Sequence, residues 1–153
     1  MTVKTLDDIH RLHPWSPRHG AAPTLEFLWQ FELAAAPADV WRWTADTSRL
    51  NRALGTAEMT FAERDGQRFG TSTSGGRHHA WLEVPWSWVA GEWLECVRVY
   101  QRGYPRAMHA IQRVEPRGAG TTFTAYFGFA PRGVLGAAAI KLGFGALERS
   151  YRR

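Results

Sequence analysis

Residues 57–130 form one long run of two-residue periods, broken only where turn residues fall, and this run limits the possible folds more than any other feature. Segments 57–64 and 67–74 flank Asp65-Gly66, a strong hairpin signal. Gly75-Gly76 marks the next turn, and Pro85 ends segment 79–84. Segment 92–102 stops at Gly103 and Pro105, 106–115 turns through Pro116-Arg-Gly-Ala-Gly120, and 121–130 closes the series. A further strand, 24–33, precedes the run: Leu25, Phe27, Trp29 and Phe31 alternate with Glu26, Leu28, Gln30 and Glu32. Pro37 then opens a helix, and Asp46 offers a capping oxygen to a second short helix over 49–54 that stops at Gly55. After Pro131 a helical pattern continues to Arg153. The order predicts an α+β fold: a curved antiparallel sheet of six to seven strands wrapped around a long C-terminal helix, with two short helices after strand 1. The concave side of such a sheet must be covered, and only the last helix is long enough to cover it.

Alternation assigns faces. On the last strand Phe123, Ala125, Phe127 and Phe129 lie opposite Thr122, Thr124, Tyr126 and Gly128, and the apolar set is placed under the helix. On 106–115 the inner set is Met108, Ala110, Gln112 and Val114. On 92–102 two registers compete, and the one with Leu94, Cys96, Arg98 and Tyr100 inside is preferred over Trp93, Glu95, Val97 and Val99. Trp81 and Glu83 are placed inside on the same basis. An inward Arg98 needs a counter-charge, supplied by Glu83 on the adjacent strand or by a ligand carboxylate. The final helix carries Gly133, Gly136, Gly143 and Gly145. Each interior Gly costs roughly 1 kcal/mol of helix stability, so either small side chains there let the helix approach the sheet or leave room above it, or the helix is kinked or shorter and starts late. The expected ligand-cavity set is Trp81, Glu83, Arg98, Tyr100, Met108, Gln112, Phe123, Phe127, Phe129 and Leu142.

Residues 1–22 hold Pro14, Pro17 and several His without sustained periodicity; they read as an N-terminal arm with one helical turn near 6–12, ahead of a single domain over 23–153. Aromatic residues reach 13%, with eight Trp and eight Phe, so large rings must fill a core, line a cavity or face a partner. The net charge of +5 comes almost wholly from Arg, but no window is a basic run, and a nucleic-acid partner is not expected. The single Cys96 excludes an internal disulfide and a multi-thiolate zinc site. The N-terminus lacks the apolar core of a signal peptide, and the apolar stretch 133–147 is short and contains Lys141. A soluble cytoplasmic protein is the expectation. Oligomeric state leaves no signal.

No catalytic frame stands out. His78 and His79 are neighbours in a strand and point to opposite faces. Ser74-Gly75-Gly76 lacks the Lys and helix of a phosphate loop. Neither a cofactor nor a metal is expected, and Glu83 and His109 are the only acid–base candidates.

Several short segments carry a resemblance: Phe31-Glu-Leu, Val40-Trp, Asp46-Thr-Ser-Arg-Leu-Asn-Arg-Ala-Leu-Gly55, Trp81-x-Glu-x-Pro-x-x-Trp-Val89, Val97-Arg-x-Tyr-x-x-Gly103 and Gly120-Thr. The order of elements resembles the helix-grip fold of the START, birch-pollen-allergen and polyketide-cyclase superfamily. The motifs, over roughly 24–142, are similar to a domain of unknown function found N-terminal to bacterial class III adenylate/guanylate cyclase catalytic domains. The resemblance implies a sensory or regulatory module that binds a hydrophobic or amphipathic, lipid-like molecule, with a nucleotide cyclase domain as its partner in cis. It implies no catalytic residues. The cyclase catalytic domain itself is absent, and the helical pattern of 147–153 leads to the expectation that the chain is an excised domain rather than a free-standing one. Two other functions remain open: a polyketide cyclase/aromatase-like enzyme using Glu83 or His109, and an interaction domain with a filled core and exposed Trp86, Trp88 and Trp93.

Overall fold

A computed structural model describes residues 2–152. Its elements are α1 (Leu6–Leu12), a 3₁₀ turn (Pro17–His19), β1 (Leu25–Leu33), α2 (Pro37–Ala45), α3 (Thr47–Ala53), β2 (Met59–Arg64), β3 (Gln67–Ser74), β4 (Arg77–Glu83), β5 (Ser87–Val89), β6 (Trp93–Arg102), β7 (Pro105–Arg117), β8 (Gly120–Pro131) and α4 (Gly133–Tyr151). The strands form one eight-stranded antiparallel sheet ordered β1-β8-β7-β6-β4-β3-β2, with β5 paired to β6 beside that path. The strand missed by sequence is β5, three residues long and exposed throughout, too short for alternation to register.

Local chemistry explains most boundaries. Asp65 and Gly66, at φ of 51° and 73°, take the left-handed pair that a tight hairpin between β2 and β3 requires. Asp46 ends α2 and its carboxylate accepts the Arg49 N–H at 3.0 Å, starting α3. The final helix begins two residues later than the Pro signal suggests. Pro131 ends β8 opposite Pro105, and α4 starts at Gly133. A proline at a strand end forfeits no ladder bond, which accounts for the misplaced boundary.

The first core layer lies between the concave face and α4. Trp29, Val40, Cys96, Met108, Ala110, Val114, Phe123, Ala125, Phe127, Phe129 and Ile140 are buried together there. Phe144 of α4 is the main anchor, with ring centroids 5.1 Å from Phe27, 5.0 Å from Phe127 and 4.6 Å from Phe129. Tyr151 stacks on Phe31 at 5.6 Å and Phe123 at 6.1 Å. The C-terminal half of α4 is thereby fixed over β1 and β8.

A second layer lies on the convex face, where the N-terminal arm packs. Val3 and Ile9 are fully buried against Ile111 and Tyr126. Gln30 donates to the Val3 carbonyl, and the buried His13 and His109 both donate to Glu95, at 3.3 and 2.6 Å. Burial works to raise the Glu95 carboxyl, but the two histidines outweigh it and hold the group at about 2. β7 and β8 are therefore buried on both faces, whereas β2 and β3 are largely exposed.

Candidate ligand cavity

Because α4 is bolted to β1 and β8, it leaves the β3–β4–β6 side of the concave face uncovered. A cavity of about 1950 Å³ fills that side, between the sheet, α3 and α4. Typical small-molecule sites occupy about 300–1,000 Å³, so this one admits a lipid-sized guest together with water. It opens to solvent past Leu142, which is 78% exposed, and Phe61. Two glycines shape it. A Cβ on Gly136 would meet the Tyr104 carbonyl at 2.7 Å, so that glycine permits close approach of the helix. Gly143 borders the cavity on the exposed side of α4, and a Cβ there would meet nothing within 4 Å, so that glycine keeps the rim open.

Of the residues expected to line it, Trp81, Glu83, Arg98, Tyr100, Met108, Gln112, Phe127, Phe129 and Leu142 do border the cavity. Phe123 does not: it is covered by Tyr151 and Phe31, beyond the end of the open space. Leu142 lies at the mouth rather than in the wall. Phe127 and Phe129 border the cavity together with Phe144, which both meet in ring contact.

The polar centre of the cavity is Glu83. Its carboxylate has one oxygen bonded to Trp81 Nε1 and to Arg98 Nε at 3.0 Å. The other oxygen accepts from Trp86 Nε1 at 2.6 Å and from the Cys96 thiol at 3.2 Å. Four donors use the whole acceptor capacity of an ionised carboxylate. Burial pushes the Glu83 carboxyl up, yet the Arg98 charge and the bonds from Trp81, Trp86 and Cys96 bring it below the ordinary value. Burial also raises the Cys96 thiol well above its usual range, so it stays protonated and donates. The Arg98 guanidinium lies 4.6 Å over the Trp81 indole. Gly70, opposite Trp81 on β3, makes room for the indole, because a Cβ there would fall within the ring.

Strand pairing assembles this cluster. Glu83 faces Arg98 across β4–β6, and Trp81 faces Tyr100. Trp86 escaped the sequence reading, which grouped it with exposed rings. It follows Pro85, where the chain leaves β4, so strand alternation says nothing about its direction. The available signal was the crowding of Trp81, Glu83 and Trp86 around one proline. Trp88, at 63% exposed, does face outward. At the other end of the cavity His79 contacts Ser74 Oγ at 3.2 Å, and burial lowers its imidazole below the ordinary value.

The two acid–base candidates are separated by the sheet. His109 lies on the convex face against Glu95 and the arm, outside the cavity that Glu83 borders. Among the described residues no cluster of His, Cys, Asp or Glu fits a metal ion, and no helix is long and apolar enough to cross a membrane.

No protein-family model and no curated protein matches the sequence. Solved structures do match. TTHA0849 from Thermus thermophilus superposes with a TM-score of 0.59 at 18% identity, over 83% of this chain and 89% of that one. The Zhui aromatase/cyclase from Streptomyces gives 0.56 at 15% identity, over 72% and 70%. Ara h 8.0201 gives 0.56 at 11% identity, over 82% and 93%. The chain has the helix-grip fold. At these identities the likeness concerns architecture alone, and a shared fold does not carry a shared function.

Proposed function

We propose that this helix-grip domain binds a hydrophobic or amphipathic, lipid-like small molecule in the cavity and performs no chemistry on it. The cavity itself carries this reading: about 1950 Å³ beside α4, with an inner wall of aromatic and aliphatic side chains around the Glu83 cluster and a polar rim from α3, β2 and β3. An open space of that volume counts against the filled core that the interaction-domain reading requires. Burial of the guest supplies affinity at about 25 cal/mol per Å² of apolar surface, before ordering losses. The cyclase/aromatase-like alternative draws support from the Streptomyces neighbour. It is disfavoured because Glu83 has no acceptor capacity left for a proton, and His109 lies behind the sheet. The resemblance to domains preceding nucleotide cyclases extends the proposal to a sensory module whose occupancy is read by a cyclase catalytic domain in cis, in the cytoplasm.

Gly143→Trp tests the cavity reading. The position borders the cavity and an added Cβ there meets nothing within 4 Å, so the side chain has open space to occupy. The expected result is an unchanged melting temperature and at least tenfold weaker uptake of an apolar naphthalene-sulfonate probe, with loss of any co-purified molecule in native mass spectra. Undiminished probe binding by a folded variant would refute the proposal.

A further inference from the structure

The cavity contains two polar groups with unused bonding capacity, set well apart. The first is Arg98. Its Nε is bound to Glu83, but its terminal nitrogens, beside the Tyr100 hydroxyl, meet no carboxylate or carbonyl among the described residues. The second is Gln112, 8% exposed, whose amide makes no hydrogen bond among the described residues and whose Oε1 is sealed without a partner. A buried amide left unpaired is a standing cost that a folded protein seldom carries without a use.

Register fixes their separation. Gln112 is opposite Leu94 on β6, and Arg98 is four residues further along that strand on the same face. Strand rise puts them roughly 13 Å apart. The floor between them is the Cys96–Ala110 pair, both buried in the apolar core. Charge narrows the choice further. Glu83 already balances Arg98 at 3.0 Å, so a ligand carboxylate there would place a second negative charge against Glu83. An uncharged acceptor meets no such penalty.

Resting on the ligand-binding reading above, we infer that the cavity selects an elongated, uncharged amphiphile with a hydrogen-bonding group at each end. A hydroxyl or carbonyl at one end accepts from Arg98, a hydroxyl or amide at the other pairs with Gln112, and an apolar span of roughly 13 Å lies over Cys96 and Ala110. The Gln112 amide can turn about its last torsion to present donor or acceptor.

Titration calorimetry with α,ω-dodecanediol, dodecanol and dodecanoate tests this, using the wild type and Gln112→Leu. In the wild type the diol is expected to bind at least as tightly as dodecanol, despite its extra hydroxyl to dehydrate, and dodecanoate more weakly than dodecanol. Gln112→Leu should weaken the diol by about tenfold, the value of one net hydrogen bond, and leave dodecanol unchanged or tighter. A diol-to-dodecanol ratio unmoved by the substitution, or tighter binding of dodecanoate than of dodecanol, would overturn the two-ended assignment while the ligand-binding reading stands. If none of the three binds and the naphthalene-sulfonate probe is also refused, the ligand-binding reading fails and this inference goes with it.

Discussion

Replacing Glu83 by Leu should be among the most damaging single changes in the concave layer. The carboxylate is buried and accepts from two indoles, a thiol and a guanidinium. Without it, Arg98 keeps its charge with 13% of its side chain exposed and no counter-ion. Breaking a buried ion pair from one side costs about 3–5 kcal/mol. Two unpaired indole N–H groups add to this, offset where cavity water reaches them. A loss of that size takes a large part of the roughly 5–15 kcal/mol available to a domain. It should lower the melting temperature by about 10 °C, given roughly 2–4 °C per kcal/mol at this chain length. Arg98→Met alone leaves the carboxylate buried without its cation and should cost about 3 kcal/mol or more. The double variant, Glu83→Leu with Arg98→Met, removes both charges and should recover most of the loss, because a hydrophobic replacement of a buried pair is often neutral. Urea unfolding followed by tryptophan fluorescence and circular dichroism gives the four corners of the cycle. If each single variant loses less than about 1 kcal/mol, or the double equals the sum of the singles, the pair is a solvated contact and the reasoning is wrong.

Gly70→Ala tests the packing beneath the same cluster: the added Cβ must push the Trp81 indole off Glu83, so about 1–3 kcal/mol of stability and the near-ultraviolet dichroism of Trp81 should change together. An unaltered near-ultraviolet spectrum would contradict the close approach. On the convex face Glu95 is held at about 2 against an ordinary 4.5, so the unfolded chain takes up this proton before the folded one does. Its contribution is complete above about pH 4.5 and disappears as the pH falls to about 2; the gap corresponds to about 3 kcal/mol. Glu95→Gln should therefore cost up to about 3 kcal/mol at neutral pH and converge with the wild type near pH 2, whereas parallel stability curves would refute the assignment.

How much of this was legible in the sequence depended on which force set each feature. Turns were readable because Asp65-Gly66 and Pro85 act through local backbone geometry. The inner set of β7 and β8 was readable because one face of each is apolar at every second position. The polar alternates Cys96, Arg98 and Glu83 gave no such contrast: two registers competed there, and the Glu83–Arg98 pairing was a consequence of the preferred one. Sequence alternation did not disclose where the hollow lies, because that depends on how far α4 tilts across the sheet. Phe144 and Tyr151 settle the tilt by locking onto β1 and β8, which turns Phe123 from a wall residue into a packing residue.

The N-terminal arm shows a different obstacle. Its sequence has no period because it supplies single side chains to a surface made elsewhere: Val3 and Ile9 fill gaps over Ile111 and Tyr126, and His13 reaches Glu95. This explains why the face of β8 that carries Thr122, Thr124 and Tyr126, opposite the apolar set, is buried as well. A sheet covered on both faces at β7 and β8 but open at β2 and β3 is stiff at one side and free at the other. The cavity spans that gradient, with Gln112 on the stiff side and Phe61 and Trp81 toward the free one. A guest held at Gln112 and Arg98 would thus draw on a fixed floor while β2 and β3 adjust to its bulk, so ligand binding should protect the β2–β3 backbone amides from exchange more than those of β7–β8.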